Sequence, residues 1–280
     1  MITASQSLNN LRLLFLYLAC GLLVVFYVNL FPVWLFFSQS FSKTFITLAP
    51  LTIPPILAAI ILLYFYLSNL QKELSINWMI VIFGLFICFS ALLIPDPTMS
   101  AKRIHVSEYL LLSLLARYVM SHKIENLPLL IFSILFATLL GIHDEFLQGL
   151  HSNRTYGLRD MAVNGVAAAG GCLIWHGLAI FTDNCRTTTS TLQKISIVHI
   201  FYLIWLMISI LGLIIPLYSY RAQPIPVWPS LPLLAGIVFY FSLGRTDNSE
   251  WGHGIKVVSF CAFALLCYPV IATTMRRIFY

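Results

Sequence analysis

Residues 127–148 read LPLLIFSILFATLLGIHDEFLQ: an uncharged apolar run from Leu127 to Ile142, then His143, Asp144 and Glu145 in succession, and Gln148 one helical turn beyond Asp144. At 1.5 Å per residue such a run rises roughly 24 Å as a helix, most of the ~30 Å hydrocarbon thickness of a bilayer. Ionisable side chains that follow it directly must be received by protein interior or by water, because a charge at a bilayer centre costs about 2.5–3.5 kcal/mol. The same juxtaposition recurs on either side. Lys102, Arg103, His105, Glu108 and Tyr109 open the apolar segment Val106–Met120, and Asp160 and Asn164 open the small-residue segment Met161–Phe181. Five of the ten carboxylates (Glu108, Glu125, Asp144, Glu145 and Asp160) fall between Lys102 and Gly171.

The rest of the chain fits this reading. Of 280 residues, 60% are hydrophobic and only 9% are Asp, Glu, Lys or Arg, and the mean hydropathy is +0.90. A soluble domain of this length could not bury that much apolar sequence, which arrives in repeated blocks. The expected fold is all-α, a polytopic helical membrane protein with about nine transmembrane helices: Leu13–Phe31, Ile46–Leu67 (kinked or broken at Pro54-Pro55), Trp78–Ile94, Val106–Met120, Leu127–Ile142, Met161–Phe181, Ile195–Tyr218, Leu231–Leu243 and Ile255–Thr273. The first run is too long for a cleavable leader and is read as an anchor. Three parts are expected: N-terminal helices over 1–73, a core over 74–182 holding the polar window, and a C-terminal extension over 183–280.

The formal charge of +6 comes from basic residues scattered singly or in pairs, with no basic stripe, which argues against nucleic acid and for contact with lipid headgroups. If all nine segments cross, seven basic residues lie on one side and eight on the other. Setting aside the four in the polar window (Lys102, Arg103, Arg154 and Arg159) leaves seven against four, an N-terminus in the cytoplasm and a polar window facing out. Six cysteines show no CxxC spacing and read as small apolar residues, with neither disulfide nor metal.

Spacing makes the polar residues converge. His105, Glu108 and Tyr109 stand at i, i+3 and i+4, Asp144 and Gln148 are four apart, and so are Asp160 and Asn164, so each helix turns one polar face. Two crossings separate the segment around Asp96–His105 from the one around Asp144–Asp160, which puts both at the same membrane face. The small residues of Met161–Gly171 allow neighbouring helices to approach closely.

A basic residue and a His before a helix, a Tyr four positions after the His, Asp-Glu-x-x-Gln, an Arg in a short loop and Asp-x-x-x-Asn-Gly at the start of a small-residue helix together resemble the VanZ-like family. That family's founding member is a small membrane protein associated with resistance to the glycopeptide teicoplanin. The matching positions are Lys102, His105, Tyr109, Asp144, Glu145, Gln148, Arg154, Asp160, Asn164 and Gly165, and the resemblance covers roughly residues 78–181. Val106 stands where an aromatic often follows the His, and the loop Gly149–Arg154 lacks the usual proline. The resemblance implies a multi-pass protein of the bacterial inner (plasma) membrane linked to envelope or glycopeptide biology, and it implies no reaction. The partners expected are membrane lipids and a lipid-linked or glycopeptide ligand, without nucleic acid; no cofactor is expected.

Three readings of the cluster follow. In a binding or structural site, Asp144, Glu145 and Asp160 pair with Arg154, Arg159 and Arg103; this reading leads, because paired acids and bases satisfy one another without chemistry. In a hydrolase or transferase, His105, Asp144 and Glu145 act as acid and base while Lys102 and Arg154 hold an anionic lipid-linked or peptidoglycan-related substrate. In a proton-coupled transporter the carboxylates carry protons, but no inverted repeat supplies a second polar set. His105 and Glu108, with His143, Asp144, Glu145 and His151 nearby, carry metal-ligating atoms without a metal signature, and no metal is expected. His176 and His199 read as hydrogen-bonded interior residues, and the cluster Gly244–Gly254 as a loop at the opposite membrane face.

Overall fold

A computed structural model describes residues 4–70, 76–96, 100–151, 154, 156–182, 196–221, 223–242 and 249–274. Among these residues the chain is all-α: α1 (Ala4–Val28), α2 (Phe31–Ser40), α3 (Lys43–Leu70), α4 (Trp78–Leu93), α5 (Ile104–Met120), α6 (Asn126–Gly149), α7 (Leu158–Gly177), α8 (Ile197–Ser219), α9 (Leu231–Ser242), α10 (Glu250–Leu265) and α11 (Cys267–Thr274), with 3-10 turns at Ser100–Arg103 and Trp228–Ser230.

Five stretches are long and apolar enough to cross a membrane: Asn10–Ser40, Thr44–Ile61, Asn126–Gly149, Ile197–Ser219 and Glu250–Thr274. The four other expected spans fall short for different reasons. α9 has 12 residues, a rise of roughly 18 Å, and α4 has 16. α5 and α7 are the inner helices, buried along most of their length. Facing protein rather than lipid, they can carry Glu108, Arg117, Asp160 and a run of glycines and alanines that lower their hydropathy. Outward faces are apolar instead, as at Leu22, Phe86 and Leu93, which suits hydrocarbon and not water.

Helix α7 is the hub and packs against α4, α5 and α6; α1 lies on α5 and α6, α10 on α6, and α8 pairs with α9. Small residues make the hub possible. A Cβ added at Gly170 would stand 2.6 Å from Cys88 Sγ and 2.9 Å from Gly84 O, and one at Gly84 would stand 2.7 Å from Gly170 O, so α4 and α7 touch backbone to backbone. Gly171 likewise admits Ser113 of α5, and Gly141 of α6 admits Asn164 and Tyr109.

Several boundaries differ from expectation. The first helix ends at Val28 rather than Phe31: Asn29 and Leu30 form a turn, and Phe31 starts α2 with Pro32 in its first turn, where the missing N–H is harmless. Helix α3 runs through Pro50, Pro54 and Pro55 without a break, and the Thr52 hydroxyl turns back to the carbonyls of Leu48 and Ala49. The last span divides at Leu266, since Pro269 has no N–H to return to Leu265. Helix α6 continues to Gly149, two turns beyond the expected Ile142, so Asp144, Glu145 and Gln148 are helical. Leu243 and Ile195, expected helix ends, lie outside the described residues.

Arg117, deep in α5, is buried, and its Nε donates to Ile180 O at 2.9 Å. Ile180 closes the end of α7 with a bond from its N–H to Trp175 O, and Ala179 beside it takes φ 53°. This is the left-handed position of a Schellman-type helix end, usually held by glycine. The guanidinium therefore faces the negative end of the α7 dipole.

Candidate functional site

The starts of α5 and α7 and the ends of α1, α4 and α6 meet at one end of the bundle, and Lys102, His105, Glu108, Tyr109, Asp144, Glu145, Gln148, Arg154, Asp160 and Asn164 are there. Asp144 is its centre. It is 0% exposed and accepts from the Tyr109 hydroxyl (3.1 Å), from Gln148 Nε2 (3.2 Å) and, at 3.5 Å, from Asn164 Nδ2, whose second bond goes to Gly141 O. The i, i+4 spacing within α6 and within α7 sets Gln148 and Asn164 on the faces that turn inward.

Glu145, also 0% exposed, accepts from Gln148 Nε2 at 3.1 Å and from the Gly157 backbone N–H at 3.1 Å. Gln148 is thus the junction: its amide nitrogen serves both carboxylates, and its oxygen accepts from Arg154 Nη2 at 2.7 Å. Arg154 also donates from Nη1 to Val28 O at 2.7 Å, tying the site to the end of α1. On the α5 side His105 Nδ1 lies 2.8 Å from Glu108 Oε2 and 3.9 Å from Asp144 Oδ2. Tyr27 of α1 donates to Glu108 O. Lys102, in the turn before α5, forms an ion pair with Asp160 in the first turn of α7, an end at which a carboxylate is favoured.

The observed pairing differs from the one expected. Asp160 is held by Lys102; Arg103 donates from Nε to Leu92 O at 3.1 Å; Arg159 pairs with Asp96 at 3.6 Å, with both side chains largely exposed; and Gln148 stands between Arg154 and the two α6 carboxylates. His143 turns out of the site: its Nε2 donates to Cys261 O, so Nδ1 of the neutral ring accepts from the Tyr268 hydroxyl, both at 2.9 Å. His151 is exposed. Among the described residues no group of three or more His, Cys, Asp and Glu is arranged to hold a metal ion.

Three contributors were missed. Tyr27 and Val28 lie outside the window, in the apolar half of α1 beyond Arg12, and Gly157 acts through its backbone; no side-chain pattern marks any of them. In the loop beside them Tyr156 is fully buried and donates to Ile214 O, and burial holds its phenol above the usual range.

At the opposite end the Glu125 N–H donates to Glu250 at 3.0 Å, which places the Gly244–Gly254 cluster's Glu250 away from the polar window, as crossing parity predicts. Lys194 lies outside the described residues. Nδ1 of His176 and Nδ1 of His199 are buried and have no hydrogen-bond partner among the described residues.

Chemically, the centre is a buried pair of adjacent carboxylates held by amide, phenol and backbone donors, with an imidazole at its edge and a partly exposed lysine at its rim. Such a set can bind a ligand, exchange protons or lock five helix ends. No family model matches the chain, and neither the curated proteins nor the solved structures include a match to it.

Proposed function

We propose that this chain is a VanZ-like integral membrane protein of the cell envelope that acts through ligand binding at its polar site, at one membrane face, and contributes to glycopeptide (teicoplanin-type) resistance. The observation that supports a binding site is the connection through Gln148: one neutral amide donates to both Asp144 and Glu145 and accepts from Arg154, while the ion pair made by Asp144 is a 3.9 Å contact with His105, an imidazole that is charged only when protonated. Burying two adjacent carboxylates costs stability that such partners return only in part, which favours a role beyond holding the helices together.

A membrane-embedded hydrolase or transferase is the second reading. His105, placed between Glu108 and Asp144, favours it as a positioned acid–base group. Its expected anion clamp finds less support, because Lys102 and Arg154 are both engaged inside the protein.

Glu145→Gln tests the functional reading. It retains the side-chain shape and one acceptor oxygen while removing the charge. Expression by blot, melting temperature in detergent and glycopeptide sensitivity are measured on the same cells. A folded, well-expressed variant without the resistance phenotype supports a working site; loss of function in step with loss of protein contradicts it.

A further inference from the structure

The atoms left over in the network are acceptors. Asp160 Oδ1 and Asn164 Oδ1 are buried and have no hydrogen-bond partner among the described residues, in side chains that are themselves almost wholly enclosed, at 3% and 0% exposure. They stand four apart on α7 and so share one face. The Asn164 amide is oriented by its nitrogen, which points at two acceptors, Gly141 O and Asp144 Oδ2, and this leaves the oxygen as the free end. Nearby donors are already committed: both N–H directions of Gln148 go to carboxylates, and the Gly157 N–H goes to Glu145. A buried acceptor without a donor is costly, so the missing component is a donor.

Charge points the same way. Four carboxylates (Glu108, Asp144, Glu145 and Asp160) converge with Lys102, Arg154 and His105 as the cations within the cluster, and His105 counts only when protonated. The Lys102–Asp160 pair shows which cation the site already accepts. Its lysine side chain is 37% exposed while the carboxylate is 4% exposed, so a primary ammonium reaches a buried oxygen from the open side.

We propose that Asp160 and Asn164 form the acceptor end of a binding site for a primary ammonium group, entered past Lys102, whose own ammonium occupies part of it when no ligand is bound. The inference rests on the ligand-binding reading above and names the chemistry of the ligand. An ammonium carries three N–H donors to offer to acceptors such as Asp160 Oδ1 and Asn164 Oδ1, whereas a quaternary ammonium has none, and among the described residues no ligand set is gathered for a metal. The group belongs either to a soluble amine or to an amine lipid headgroup at the membrane face.

The test uses the full chain in phosphatidylcholine nanodiscs titrated with ethanolamine, and in parallel nanodiscs containing phosphatidylethanolamine, with tetramethylammonium and sodium chloride as controls. Binding is read by calorimetry and by melting temperature. Ethanolamine or phosphatidylethanolamine is expected to stabilise the wild type, and the controls are not; which of the two acts identifies the source. Asn164→Leu should weaken binding roughly tenfold, as for one lost hydrogen bond to a charged group. Lys102→Met should strengthen it roughly three- to tenfold by removing the internal competitor. Because Lys102→Met predicts a gain, misfolding cannot mimic it. Absence of amine binding to folded wild type, equal stabilisation by tetramethylammonium or sodium, or unchanged or weaker affinity in folded Lys102→Met overturns the proposal. Those results, with Glu145→Gln still folded and inactive, would remove the ammonium and leave the binding reading in place; Glu145→Gln failing in step with stability removes the reading itself.

Discussion

Replacing Gln148 by Leu removes the junction of the site while keeping a side chain of comparable bulk. Two donor contacts to buried carboxylates disappear, at 3.2 and 3.1 Å, together with the 2.7 Å acceptor for Arg154. Hydrogen bonds to charged groups are worth about 1.5–3 kcal/mol each, so three of them set an upper range of roughly 4.5–9 kcal/mol. Tyr109 and Asn164 still serve Asp144, Gly157 N–H still serves Glu145, and Val28 O still receives Arg154. With these partners retained, the expected loss is about 3–5 kcal/mol, the range for breaking one member of a buried charged set. At roughly 2–4 °C per kcal/mol, the melting temperature in detergent should fall on the order of 10 °C. Phe86→Leu, on the outward apolar face, serves as the control and should change little. A Gln148→Leu protein melting within about 2 °C of wild type would refute the junction, because no arrangement in which Gln148 bridges two buried carboxylates and Arg154 tolerates its loss so cheaply.

Three further outcomes follow from the fold. Gly170→Ala should lower stability by about 1–3 kcal/mol or disrupt assembly, since the new methyl meets Gly84 O and Cys88 N at 2.9 Å, and backbone cannot swing aside; the melting temperature measures it. Ala179→Gly should raise stability by roughly 0.5–1 kcal/mol, because the φ of 53° is one that glycine adopts without strain, and an unchanged or lower melting temperature would count against that geometry. In a cysteine-free background, Arg154→Cys and Lys123→Cys should label from opposite sides of the membrane; labelling from one side would contradict the placement of the α5–α6 loop and the α6–α7 loop at opposite ends of the bundle.

Much of the site was legible because helical period and charge scarcity act together. In a chain so poor in charge, His105, Glu108 and Tyr109, the pair Asp144 and Gln148, and the pair Asp160 and Asn164 could be assigned to inward faces from spacing alone. The partners of each charge were not legible. Lys102 rather than an arginine meets Asp160, and Gln148 stands between Arg154 and Asp144, because pairing depends on loop geometry over a few ångströms and not on register. The α1 contribution through Tyr27 and Val28 was hidden for a similar reason, since a backbone carbonyl carries no sequence signal. All-α architecture followed directly from composition, but the number of crossings did not. Hydropathy counts lipid-facing helices, and the inner α5 and α7 are freed from that requirement by their neighbours.

The central claim is that polar faces of helices distant in sequence close on one another in the interior, and the contact between Tyr109 of α5 and Asp144 of α6 is its most direct expression. A double-mutant cycle of Tyr109→Phe and Asp144→Asn, read as unfolding free energy in detergent, measures it. Both side chains are 0% exposed and 3.1 Å apart, so a coupling of about 1.5–3 kcal/mol is predicted for a buried hydrogen bond to a carboxylate. Losses that add to within roughly 0.5 kcal/mol would contradict the account, because independent sites behave that way and bonded ones do not.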